Sequence, residues 1–212
     1  MKNKINVGLL YILPWILGIL LLKIFPFGLS LFLSFTRYDL ISSPQFIGIE
    51  NYVEMFKDEL FIKSLLNTIK YVIVTVPLKL AFALFIASIL NFKIKGVGIF
   101  RTAYYLPSIL GGSVAISVLW RFLFADNGLV NIMLKMLHLP TASWMGDQKY
   151  ALFTIGLLSV WQFGSSMVIF LAALKNIPNT LYEAARIDGA SKVRMFFSIT
   201  FPLLTPVIFF NF

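Results

Sequence analysis

YALFTIGLLSVWQFGSSMVIFLAAL, residues 150–174, runs for 25 residues without a charged side chain. A helix of about 20 apolar residues crosses the hydrocarbon core of a bilayer, so this stretch is long enough to span. It is apolar all round. A barrel strand alternates over roughly 10 residues, and only a helix satisfies its own backbone in lipid without closing a barrel. Four more apolar stretches flank it. Upstream lie residues 7–35, interrupted by Lys23, residues 64–92, with Lys70 and Lys79 inside, and residues 102–120, which carry no charge. Downstream, a run begins near Met195 and continues to Phe212. Four of the five reach spanning length, and the last reads as a helix cut short. The expected fold is all-α, a polytopic transmembrane helical bundle of about five helices, with residues 1–212 as a single membrane domain.

Composition agrees. Hydrophobic residues make up 59% and charged residues 13%, and mean hydropathy is +0.87. Soluble domains carry about 25% charged residues, and a soluble chain of this make-up would leave its apolar surface uncovered. The net charge of +9 does not point to nucleic acid, because the Lys and Arg residues sit between apolar runs, as topogenic charges do. No cysteine and one histidine, His138, exclude a disulfide framework and a multi-His metal cluster; His138 is expected solvated in a loop. The first apolar run is too long for a cleavable leader and is expected to remain as a membrane helix.

Loop charge sets an expected orientation. The N-terminus (Lys2, Lys4), residues 91–101 (Lys93, Lys95, Arg101) and residues 175–194 (Lys175, Arg186, Lys192, Arg194) hold nine basic residues. The alternate loops hold six, Arg37, Lys57, Lys63, Arg121, Lys135 and Lys149, together with seven of the nine acids. Lys and Arg accumulate on the cytoplasmic side, so the N-terminus and residues 175–194 are expected there, with Asp58 and Asp147 outside. Trp120 and Trp144 flank the second outer loop, where interfacial belt positions account for them without a ligand.

Residues 179–202 read NTLYEAARIDGASKVRMFFSITFP. Thr180 and Glu183 have capping-box spacing, which predicts a helix over 181–188. Gly189 follows where a left-handed residue is wanted, and Ser191 can cap the next helix. Ala184 and Ala185 leave one side of the short helix smooth. It can serve as an ordinary interfacial linker or lie in a partner's groove.

The segment resembles the EAA motif of ABC importer permeases: Glu-Ala-Ala, three residues, Gly, nine residues, then Ile-x-Leu-Pro. Here stand Glu183-Ala184-Ala185, Arg186-Ile187-Asp188, Gly189, residues 190–198, and Ile199-Thr200-Phe201-Pro202. Phe201 replaces the usual Leu. Residues 46–52 (FIGIENY), 101–107 (RTAYYLP), Ile177-Pro178 and 186–190 (RIDGA) are similar to the sugar branch, in the group of maltose, multiple-sugar and glycerol-phosphate permeases of the first-permease type. The family core has six helices, so this chain is expected to be C-terminally incomplete.

That resemblance implies a prokaryotic cell-membrane permease, multi-pass, importing a sugar or oligosaccharide. Its loop over 175–202 would dock on a cytoplasmic ATP-binding subunit dimer, with Glu183, Ala184, Ala185, Arg186, Asp188, Gly189, Ile199 and Pro202 serving coupling. A homologous second permease and an extracellular sugar-binding protein complete the implied partners, besides membrane lipid. No enzymatic activity and no cofactor are expected of the chain; ATP would be used by the partner, in keeping with the lack of a Gly-x-x-x-x-Gly-Lys-Ser/Thr phosphate loop. Other importer classes carry EAA loops too, including glycerol-phosphate and amino-acid permeases. A polytopic membrane enzyme is a further alternative, disfavoured by scattered acids and a single His.

Polar groups in membrane helices face the bundle or a wet cavity. Gln162, Ser165 and Ser166, beside Trp161 and Gly164, form the most polar patch of the fourth run and are candidates for the substrate path; packing by small residues is the alternative. Lys79 sits near the middle of the second run. No apolar run contains Asp or Glu, so Lys79 is expected to face a water-filled path or a partner's carboxylate.

Overall fold

In the computed structural model, residues 2–92 and 96–212 are described, without the side chains of residues 2–7 and 9. The topogenic Lys2, Lys4, Lys93 and Lys95 therefore lie outside the described side chains. Two compact units divide at residues 66 and 67.

The first unit opens with α1 (Lys2–Ile19), a π turn (Leu20–Ile24) and α2 (Phe25–Ser34). Leu10–Ser34 is one continuous apolar helix with none of its spanning window buried. A two-residue ribbon follows, β1 (Thr36–Arg37) against β2 (Gln45–Phe46), antiparallel, with Thr36 opposite Phe46. The FIGIENY stretch does the local work here. Gly48 takes φ +64°, a left-handed conformation open to glycine. Asn51 Nδ2 donates to the Ser34 and Thr36 carbonyls at 2.9 Å each, and Tyr52 Oη shares a 2.6 Å hydrogen bond with Ser34 Oγ. These bonds hold the start of α3 (Glu50–Lys57) to the end of α2.

The long helix α4 (Glu59–Leu90) brings the second apolar run into the second unit. Leu80, Ala83, Ala87 and Leu90 recur at three- and four-residue spacing on one buried face. They pack with Phe163, Met167, Phe170, Leu171, Leu174 and Leu204.

The third and fourth apolar runs are not the unbroken helices expected. The third divides into α5 (Val97–Leu110) and α6 (Val114–Leu123), bent by 98°. Pro107, the Gly111-Gly112 pair and Ser113, whose Oγ accepts from the Ile116 N–H at 3.4 Å, give the chain its exit. The fourth divides into α8 (Gln148–Trp161) and α9 (Gly164–Lys175), bent by 45°. Counting each bent pair as one span, the structure has up to five candidate spans among the described residues.

Between α6 and α8 lies α7 (Leu129–Met136). After α9 come α10 (Asn179–Ile187), α11 (Lys192–Met195), a second π turn (Phe196–Thr200) and α12 (Phe201–Asn211). Both π turns precede a Phe-Pro pair, Phe25-Pro26 and Phe201-Pro202. Proline donates no hydrogen bond and its ring crowds the carbonyl four residues back. The widened turn places those carbonyls, of Leu22 and Ser198, inside the bulge, and the bonds run Phe25 N to Leu20 O and Phe201 N to Phe196 O.

Candidate coupling helix and broken-span site

The short helix α10 begins at Asn179, two residues before the sequence spacing predicts. Its N-cap is Pro178, with no side-chain cap bond. The Thr180–Glu183 capping box is therefore not what starts it: Pro178, extended at ψ 131°, already ends the preceding turn and sets the helix going. The C-terminus matches its expectation. Gly189 takes φ +73°, its N–H donates to Arg186 O at 3.1 Å, and the Ala190 N–H donates to Ala185 O at 2.9 Å. These two bonds form a Schellman stop. Ser191 Oγ then accepts from the Arg194 N–H at 3.3 Å and caps α11.

The spacing of Leu181, Ala184 and Ile187 puts them on one face, and all three are exposed, Ile187 at 87%. Glu183, Arg186 and Asp188 are exposed as well, and the only ion pair among the described residues is Arg37 with Glu50, elsewhere in the chain. Ala185 and Ile199 are half-buried and face a cavity of about 260 Å³ with Asp188, Ala190, Arg194, Met195 and Ser198. Pro202 stands at the root of α12 and is exposed. Tyr182, which sequence reasoning passes over, ties α10 down: its hydroxyl lies 2.8 Å from Oγ1 of the buried Thr200. Its only prior signal was position, inside the motif and next to Glu183.

The two broken spans meet at their breaks. Gln162 Nε2 donates to the Gly111 carbonyl at 3.3 Å. Ser108 Oγ donates to the Gln162 carbonyl and accepts from the Ser165 N–H, each at 3.0 Å. Each break thus supplies partners for the other's freed backbone groups, which is the condition for irregular backbone at membrane depth. At Gly164, α5 and α9 touch backbone to backbone. A Cβ there would meet the Tyr104 carbonyl oxygen, and Tyr105 Cα at 2.7 Å. Phe163 is buried beside the break, its ring 4.8 Å from Phe82 and 5.9 Å from Tyr104. Of the substrate-path candidates, Gln162 and Ser165 belong to this bonded cluster. Ser166 is buried on α9 and Lys79 half-buried on α4; no hydrogen bond joins either to the cluster among the described residues.

The loop between the broken spans is capped by Asn131, only 2% exposed. Its Nδ2 donates to the carbonyls of Asp126 at 3.0 Å and Ala142 at 2.9 Å. Its Oδ1 accepts from Trp144 Nε1 at 2.9 Å and the Ala142 N–H at 3.3 Å. Trp120 Nε1 donates to the Thr154 carbonyl at 3.1 Å. Both indole N–H groups are thus spent within the chain. His138 is exposed, as expected, and takes the left-handed position (φ +57°) after α7.

Residues 60–212 match the family described as binding-protein-dependent transport system inner membrane component. The chain is 53% identical over 206 residues to the probable ABC transporter permease protein YesP of Bacillus subtilis (strain 168), covering 96% of this chain and 67% of that protein. It is 36% identical over 205 residues to the sn-glycerol-3-phosphate transport system permease protein UgpA of Yersinia pestis, covering 95% and 68%. Among solved structures it is similar to a chain of the bacterial alginate ABC transporter in complex with alginate pentasaccharide-bound periplasmic protein. That match has a TM-score of 0.80 and 26% identity, and covers 98% of this chain and 70% of that one.

Proposed function

We propose that this chain, which belongs to the binding-protein-dependent transport system inner membrane component family, carries a sugar or oligosaccharide across the membrane and receives its driving force through α10. The observation that carries this reading is the exposed apolar strip Leu181, Ala184 and Ile187 on a helix stopped by the Schellman turn at Gly189. A short, rigid helix with an unburied apolar face, bordered by Glu183 and Arg186, suits the groove of a partner subunit. That partner is a cytoplasmic ATPase dimer, which binds and hydrolyses the ATP. A homologous second permease completes the pathway and an extracellular binding protein delivers the cargo. The cargoes for which its relatives are named, sn-glycerol-3-phosphate and alginate, support a polyhydroxylated substrate. The cluster of Gln162 and Ser165 beside Trp161 and Ser166 has hydrogen-bonding groups and an aromatic face suited to it. Lys79 borders the path or meets a carboxylate of the second permease. The N-terminus and Arg186 face the cytoplasm, Asp58 and Asp147 the outside.

Gly189→Val in the assembled transporter is the test. Valine at φ +73° is disfavoured by about 1–2 kcal/mol, enough to reorient α10. ATPase stimulation by loaded binding protein falls, while binding-protein docking is unchanged. Normal coupled transport in that variant refutes the assignment. Single cysteines at 186 and 58, in a chain with no native cysteine, report the orientation: labelling of residue 186 from outside overturns it.

A further inference from the structure

Two contacts of α4 bracket Lys79 and fix its level in the second unit. One turn before it, Thr75 is buried against α8, its Oγ1 2.8 Å from where a Cβ on Gly156 would stand. One turn after it, the Phe82 ring meets the Phe163 ring edge-on at 4.8 Å, and Ala83 is buried in the core with Met167 of α9. Residues three and four apart share a helix face, so Thr75, Lys79, Phe82 and Ala83 belong to the face of α4 turned to the broken span. The step from Thr75 to Phe82 equals the step from Gly156 to Phe163, so α4 and that span run side by side in one direction. Lys79 is therefore level with Val160, in the last turn of α8 before the break at Gln162. Around that break lie the Gln162 side chain, bonded to the Gly111 carbonyl, and the Ser108 hydroxyl, bonded to both sides of it. Lys79 itself is half-buried, with no hydrogen bond or ion pair among the described residues. No apolar run carries an Asp or Glu, so the spans of this chain offer it no counter-charge at that depth. A cation inside a membrane span faces a wet cavity or pathway and is matched there by an anion.

We propose that the cargo is an acidic saccharide and that Lys79 binds its carboxylate at the broken-span site. The inference rests on the proposed function and adds to it the charge of the cargo. Gln162, Ser165 and the ring of Trp161 serve hydroxyl groups and a sugar face, which neutral and acidic saccharides present alike. The ammonium of Lys79 separates the two classes. One lysine matches one carboxylate. A phosphate monoester carries close to two charges and calls for a second cation, and the next along α4, Lys70, is about 14 Å away on the helix.

The assembled transporter, in nanodiscs and without its binding protein, is dialysed to equilibrium against labelled disaccharides in matched pairs. Glucuronate, mannuronate and galacturonate disaccharides are each set against the neutral disaccharide of glucose, mannose or galactose. In at least one pair the acid binds about tenfold more tightly, the effect of one charge-assisted bond. Lys79→Met removes that preference by weakening the acid and leaving the neutral partner as it was. Lys79→Arg keeps the preference, and so does Lys70→Met. Equal affinity within every pair for the unmodified transporter, or a preference that survives Lys79→Met, overturns the inference and leaves the proposed function standing. Binding of neither member of any pair overturns both. Should Lys79→Met fail to fold, Lys79→Gln carries the test. Loss of the second permease from both variants assigns Lys79 to a carboxylate of that subunit and likewise overturns the inference.

Discussion

Gly164→Ala adds one methyl group where α5 and α9 touch backbone to backbone in the second unit. The new Cβ meets the carbonyl oxygen of Tyr104, Tyr105 Cα at 2.7 Å and Ser108 Oγ at 2.9 Å. Two of these three atoms are main chain on α5, so no rotamer change relieves the clash and α5 must move away from α9. Overpacking of this kind costs about 1–3 kcal/mol. The movement also strains the Ser108 bonds to the Gln162 carbonyl and the Ser165 N–H, each contributing about 1 kcal/mol. The expected loss is therefore about 2–5 kcal/mol, read as a lower unfolding temperature in nanodiscs and faster amide exchange at Ser165. Gly111→Ala is the internal comparison. There the three atoms nearest the added Cβ all belong to the Gln162 side-chain amide, which can swing aside, so the loss is smaller and Gln162→Ala relieves most of it. Equal stability of Gly164→Ala and wild type, or a larger loss at Gly111 than at Gly164, refutes the reasoning.

Asn131→Ala strands the Trp144 indole N–H and the Ala142 N–H. At about 1–3 kcal/mol per unsatisfied buried group, the loop over residues 125–144 loses exchange protection while the α5–α9 crossing keeps its own. Asp39 accepts from Ser42 Oγ at 2.6 Å and from the Ser42 and Ile41 N–H groups, and these bonds, the side-chain one foremost, lower its pKa to about 2. Its folded value lies below the unfolded one, so the turn is fully supported above about pH 4 and loses that support as pH falls towards 2; amide exchange at Ser42 against pH reads the loss. Lys79→Met, in the assembled transporter, alters transport or subunit assembly, and Lys70→Met, on an exposed residue in the N-terminal half of α4, does little. A silent Lys79→Met removes the path assignment.

The existence of the apolar runs was legible because length and absence of charge are local properties. The breaks at residues 111–113 and 162–163 were not, because a hydropathy average does not register a Gly-Gly pair or one Gln among apolar neighbours. What makes those breaks tolerable is supplied from far along the chain: Ser108 and Gln162 are 54 residues apart. The stop at Gly189 and the cap at Ser191 were legible for the opposite reason, since both bond within five residues. The start of α10 was misplaced because the Thr180–Glu183 spacing competes with Pro178, and the proline's restriction on the backbone prevailed. Asn131 was invisible: a lone Asn in an apolar helix gives no periodic signal, and its partners lie on both sides of α7.

These particulars bear on how α10 is joined to the rest of the second unit. At its start, only Asn176–Pro178 separates it from α9, and that turn is closed by bonds from the Asn176 N–H to Ala173 O and the Ile177 N–H to Leu174 O. Near its middle, Tyr182 bonds Thr200 in the π turn below Pro202. Beyond it, Ser191 caps the helix leading into α12. So α10 is held to α9 and to the root of α12, and its own exposed strip lies on the side left free. The far end of α9 is the Gly164 crossing and the Gln162 break. A displacement of α10 is therefore received by one helix whose opposite end carries the polar cluster, and by another whose backbone is already widened where Tyr182 grips it. Under the proposed coupling the residues of the motif divide accordingly: the exposed Ala184 and Ile187 serve the partner, whereas Ala185, Gly189, Ile199 and Pro202 shape the joint that passes the movement on.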